Sequence, residues 1–224
     1  MFNQRNSKTK FKQNPFHSLI KTKIIKRKDN KDYTVRDTTH RYFFPDEWFV
    51  FHDQLKIKQK LTFDFLINTG ARINEVRNIR VGDIDLERKN IVLRWTKSRN
   101  RDGSRRIRTI PVSSQFSKEL KKKAKEFNLN SNDNFPILST SAANIAMKKA
   151  LQWAGIPDWK MFSIHTIRKT TEMFLMALRI DSLTIEKHMG HSLRVASKYY
   201  VSPDIFNWED RNNMRRIIGD LYDR

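Results

Sequence analysis

The chain has no cysteine among its 224 residues, which excludes disulfides, thiol nucleophiles and thiolate metal sites together. It has no apolar run near the roughly 18 residues that a membrane helix needs. Nor does it open on the apolar stretch of a signal peptide, so neither a membrane nor export is expected. No phosphate-binding glycine loop and no cluster of carboxylates is visible, and no internal repeat. Acidic charge is the other shortage: 24 Asp and Glu stand against 45 Lys and Arg.

What remains is a strong positive excess, +21 with a pI near 10.3. Such a field attracts polyanions, and nucleic acid leads the candidates, although ribosomal and membrane-surface proteins are also basic. Charge says nothing about catalysis. The length fits one domain plus an appendage, or two small domains. A hydrophobic fraction of 38% that includes 15 Phe and 5 Trp is enough for a core.

Residues 1–44 carry 12 Lys or Arg against 3 Asp and little apolar periodicity. They read as a flexible basic arm, with Lys26, Arg27 and Lys28 as candidate DNA contacts. The packed domain is expected over 45–224, from FFPDEWFVFHDQL onward. Pro45 suits a first helical position and Asp46 and Glu47 the first turn, with Trp48, Phe51 and Leu55 inward. Further helices are expected over KQKLTFDFLINT, with Leu61, Phe65 and Leu66 on one face and Gly70 as its stop, and over ARINEVRNI. The segments VGDIDLERKNIVLRW and RRIRTIPV read as short strands around the basic turn SRNRDGS. Helices follow over 117–127, 141–154, 165–178, 183–189 and 193–200. A last one, NNMRRIIGDLY, carries Met214, Ile217, Ile218 and Leu221 in a stripe. The expected class is α+β, mainly helical, with a small antiparallel sheet.

Three segments hold groups that could act on a phosphate. In TGARINEVRNIR, Arg72 follows a Gly-Ala break at a helix start, where free N–H groups favour an anion. In HTIRKT, His165 and Arg168 are three apart and share a helix face. In HMGHSLRVASKYYV, His191 follows Gly190, and two of the chain's five tyrosines, Tyr199 and Tyr200, close the run. Leu193, Ala196, Ser197 and Tyr200 fall at helical spacing on one face, and Tyr199 lies off it.

Each segment alone is weak, but the order R…K…HxxR…GH…Y is specific. It resembles the tyrosine recombinase, or phage integrase, family, whose catalytic domain is shared with type IB topoisomerases. The resemblance covers roughly residues 42–202. It implies Arg72 and Arg168 as the phosphate-binding arginines, His165 as base, and His191 as a phosphate donor or proton handler. Tyr200, nine residues after His191, is then the nucleophile. Lys97, the first basic residue after IVLRW, becomes the acid for the departing 5′ oxygen. Arg99, Arg101, Arg105, Arg106 and Arg108 are read as DNA-backbone contacts, and Glu75 as a buried partner of an arginine.

These residue types suit the chemistry. Guanidiniums hold non-bridging oxygens and stabilise transition-state charge without a metal, and they favour the deprotonated form of a tyrosine. The resemblance therefore implies a 3′-phosphotyrosyl intermediate with no metal, cofactor or ATP. It also implies double-stranded DNA as partner, a homotetramer on two sites, and residence in the cytoplasm at the nucleoid or in a virus's host. Most relatives carry a helical core-binding domain before the catalytic one. The 44 residues here are too few for it, which implies a minimal or truncated form. A non-catalytic DNA-binding regulator on the same scaffold, or a topoisomerase-like relaxing enzyme, remains the alternative.

Overall fold

The computed structural model describes residues 22–36, 41–97, 100, 102–191 and 205–222. Within the basic N-terminal segment it shows a hairpin, β1 (Thr22–Lys26) paired antiparallel with β2 (Asp32–Arg36). Asn30 takes φ 64° in the connecting turn, a conformation its short polar side chain tolerates. Side chains alternate across the strands, so Ile25 and Val35 enter the core while Ile24 and Lys26 face out.

Two buried arginines fasten this hairpin to the domain. Arg27 donates to Asp46 at 3.1 Å and to Asp210 at 2.7 Å. Arg41 donates to both oxygens of Glu47, at 2.8 and 2.6 Å, and to the carbonyl of Lys26 at 2.6 Å. Its guanidinium also lies 4.9 Å from the ring centre of Phe162. Buried charges persist only when paired in this way. The folded unit thus extends N-terminal to residue 45, the start expected from the sequence.

Helix α1 (Pro45–Asp53) begins as its sequence predicts, with Pro45 in the first turn. Trp48, Phe51 and the following Leu55 are buried. Helix α2 (Ile57–Thr69) lies at the centre. Phe63 and Ile67 are buried as deeply as Leu61, Phe65 and Leu66, because other helices surround it instead of one face meeting the core. Gly70 ends it in the left-handed region. The third expected helix shortens to α3 (Ile73–Val76), since Ala71 lies outside it and Arg72 is extended.

A 3-10 turn over Val81–Asp83 leads into a three-stranded antiparallel sheet. Its strands are β3 (Ile84–Asp85), β4 (Asn90–Leu93) and β5 (Arg108–Pro111), with Ile91 opposite Ile110 and Leu93 opposite Arg108. Helices α4 (Ser114–Glu126), α5 (Thr140–Trp153), α6 (Ile164–Ala177), α7 (Ser182–Met189) and α8 (Trp208–Ile218) complete the described part. Ser113, Ser139 and Asp181 cap α4, α5 and α7 with side-chain acceptors. The helix expected over 193–200 lies outside the described residues. No helix among them is long and apolar enough to cross a membrane.

The stripe on the last helix is covered by its own chain. Met214 and Ile218 are fully buried, Leu221 nearly so, and α8 packs on α1, α2 and α6.

Candidate functional site

The site is built where two helices end. Gly70 closes α2 and Gly190 closes α7, both left-handed, at φ 57° and 68°. The last carbonyls of a helix have no partner within it and carry its partial negative charge, so a helix C-terminus suits a cation. Arg168, midway along α6, donates through Nη1 to the Gly70 carbonyl at 2.5 Å and through Nη2 to the Met189 carbonyl. Arg108 on β5 donates through Nη1 to the His188 carbonyl at 2.9 Å. Gly190 permits this approach: a Cβ there would stand 2.3 Å from Arg108 Nη1.

Glu75 joins the second arginine to the third. Its carboxylate, 3% exposed, accepts from Arg72 Nη1 at 3.0 Å and from Arg108 Nη2 at 3.3 Å. It also accepts from the Arg72 backbone N–H at 2.9 Å, which fixes the start of α3. Three guanidiniums thus converge with one carboxylate between two of them, leaving net positive charge for an anion. The cluster is electrostatically crowded. Burial, then the charges of Arg72 and Arg108, push the Arg168 pKa down to about 10, where it still holds its proton at neutral pH. Burial also lowers Arg108, with Glu75 opposing the shift.

In front lies an open cleft of about 540 Å³, lined among others by Arg72, Glu75, Thr96, Arg106, Arg108 and His191. Arg168 is nearly buried and does not line the cleft itself, but the charges of Arg72 and Arg108 reach it. His165 is exposed at the first turn of α6, one turn before Arg168. Lys97 is exposed and directly follows Thr96. The structure therefore brings Arg72, Arg108 and His191 together around one cleft, with Arg168 buried within reach of both arginine charges and His165 and Lys97 on adjoining chain.

Several sequence expectations need correction or fall elsewhere. Arg108 is no outward backbone contact: it is locked between Glu75 and the His188 carbonyl, inside the site. Arg27 is turned into the protein and paired with Asp46 and Asp210. Arg105 stacks on Trp95 at 4.6 Å and bonds the Thr96 carbonyl, bracing the turn. Arg106, Lys26 and Lys28 are exposed. Arg99, Arg101, Tyr199 and Tyr200 lie outside the described residues. Glu172, one turn after Arg168, was not among the expected site residues. It is buried with its Oε2 3.5 Å from His191 Nε2.

The sequence profile of the phage integrase family matches residues 46–204. No curated protein matches the chain significantly. Solved structures share its fold. The XerA recombinase superposes with a TM-score of 0.58 at 18% identity, covering 80% of this chain and 65% of that one. The Tn1549 transposon integrase in complex with transposon right end DNA gives 0.58, 18%, 80% and 66%. The integrase from mycobacterium phage Brujita gives 0.55, 13%, 84% and 61%. The chain thus spans just under two thirds of the length of each of these three. With the arginine cluster lying inside the matched segment, the chain belongs to the phage integrase family.

Proposed function

We propose that this protein is a site-specific DNA recombinase that cleaves and rejoins duplex DNA through a 3′-phosphotyrosyl intermediate. The observation that carries the reading is the meeting of Arg72, Arg108 and His191 on one cleft, with the buried Arg168 within reach of both arginine charges. Guanidiniums gathered in a partly desolvated site stabilise the charge that develops on a phosphate in transfer. In cleavage, the Tyr200 oxygen bonds to the scissile phosphorus as the bond to the 5′ oxygen breaks. His165 takes the tyrosine proton, Lys97 supplies one to the 5′ oxygen, and His191 donates to a non-bridging oxygen. Rejoining reverses these steps, and because the ester conserves the bond, neither nucleotide nor metal is needed.

Duplex DNA is the proposed partner, as transposon DNA is for the Tn1549 integrase that shares this fold. Arg106, with Lys26 and Lys28 on the hairpin, is proposed to meet its backbone, alongside Arg99 and Arg101. Assembly is proposed to be tetrameric on two sites, and the protein to act wherever such DNA resides, at a nucleoid or in the cytoplasm of a virus's host.

The test uses a pool of randomised duplexes, each nicked so that a short 5′-hydroxyl fragment leaves after cleavage and traps the adduct. Wild type should become covalently attached in the presence of a chelator and without nucleotide. Tyr200→Phe should not, while Tyr199→Phe should. An absence of wild-type adduct would instead favour a DNA-binding regulator on this scaffold.

A further inference from the structure

Among the buried carboxylates of the described core, Glu172 alone has no hydrogen bond. Its side chain has no solvent exposure, and neither carboxylate oxygen accepts a hydrogen bond among the described residues. A buried polar group left this way costs stability, and an apolar side chain of similar volume would be cheaper. Its neighbours show what it faces. Arg168 and Lys169 both feel its field, and its Oε2 lies 3.5 Å from Nε2 of His191. Arg168 commits its Nη atoms to the Gly70 and Met189 carbonyls, so it is no hydrogen-bond partner of Glu172.

Taking the recombinase reading as its basis, we infer that Glu172 is a positioning residue that holds the His191 ring for its contact with the scissile phosphate. The geometry suits the role. Glu172 follows Arg168 by four residues, so the two share a face of α6. Arg168 is the buried arginine of the cluster, and Glu172 reaches the histidine that lines the cleft. A carboxylate beside Nε2 fixes the ring's orientation, as carboxylates do for other working histidines. At 3.5 Å the contact falls short of a hydrogen bond, and contacts of this kind tighten when substrate binds. Being fully buried, Glu172 does not itself reach the phosphate.

The test compares full-length wild type, Glu172→Gln, His191→Ala and the double variant on the nicked duplex pool. Glu172→Gln keeps the shape and removes the charge. Its rate of adduct formation should fall about tenfold to a hundredfold, the range for losing one hydrogen bond to a charged group. Duplex affinity and thermal midpoint should hold. In the His191→Ala background the same change should have no further effect, because its action runs through the imidazole. In DNA-free protein, Glu172→Gln should also shift the ring nitrogen resonances of His191 and leave those of His52 in place.

Wild-type cleavage by Glu172→Gln, or additive losses in the double variant, would overturn the inference. So would a lowered midpoint with a matching loss of binding, which marks a purely structural role. If wild type itself forms no adduct, the recombinase reading fails, and unmoved His191 resonances would then remove the Glu172 contact independently.

Discussion

Arg168 donates to the carbonyl of Gly70 at 2.5 Å, so the glycine that stops α2 also anchors the most buried cation of the site. A break in a helix and a binding group are here one residue. Gly70→Ala forces a side chain into φ 57° and brings its Cβ to 2.9 Å from Met189 Sδ, on the residue whose carbonyl is Arg168's other acceptor. The left-handed conformation alone should cost about 1 kcal/mol. Gly190→Ala adds a direct clash with Arg108 Nη1 at 2.3 Å, so Arg108 must leave Glu75 or the His188 carbonyl. Chemical denaturation and duplex titration should rank Gly190→Ala as the more damaging of the two. Equal effects would mean that the Arg108 contacts do not matter.

Both glycines were legible in the sequence as motif positions, because a helix stop next to a basic residue leaves a local trace. Helices α1, α2, α4, α5, α6 and α7 were legible for the same reason, through caps and 3.6-residue spacing. What escaped was non-local. Each strand of the N-terminal hairpin turns few apolar side chains inward, Ile25 on one and Val35 on the other. Lys23 beside Ile25 on the inward face, and Ile24 on the outward one, hide that pattern. Arg108 looked like its neighbours in the basic turn, and only the return of α7 and α3 in space makes it part of the site. Glu172 reads as an ordinary helix acid until His191, nineteen residues on, is brought beside it.

Arg27 divides structural charge in the hairpin from the charge proposed to face DNA. Arg27→Met leaves Asp46 and Asp210 without their shared cation, and breaking a buried pair from one side costs about 3–5 kcal/mol. Its unfolding midpoint should fall well below that of wild type. Lys26→Ala and Lys28→Ala should leave the midpoint unchanged. Each should instead reduce the slope of log affinity against log salt by about 0.9 if it neutralises one phosphate. A stable Arg27→Met protein with a reduced salt slope would return Arg27 to the DNA surface.

The cis packing of α8 changes what a mutation there reports. Met214 and Ile218 are fully buried against the same chain, so Met214→Ala should destabilise the monomer by about 2–5 kcal/mol. The double change of Ile217 and Leu221 to Asp, attractive as a way to block assembly, puts a carboxylate at nearly buried Leu221 and should weaken folding as well. Sedimentation on DNA and urea melts of the same variants separate the two effects. Full monomer stability in Met214→Ala would show that α8 leaves its own domain in solution.

The last prediction concerns pH. His188 is buried between the charges of Arg108 and Arg168, with Nδ1 2.9 Å from the Tyr222 hydroxyl. Burial first, then those two cations, push its pKa down from 6.5 to about 3. It is therefore neutral in the folded protein across a range where the unfolded chain takes up a proton. Its contribution is complete above about pH 6.5 and is lost as pH falls toward the folded value, at no more than about 1.4 kcal/mol per pH unit. Carboxylates add their own losses at lower pH, so the window from about pH 5 to 6.5 is the informative one. His188→Gln keeps a polar partner for Tyr222 but cannot titrate. Subtracting its urea-unfolding free energies from those of wild type should leave a slope in that window and a flat line above it. Parallel curves for the two proteins would show that His188 is protonated alike in both states, and that its surroundings are wetter than its burial indicates.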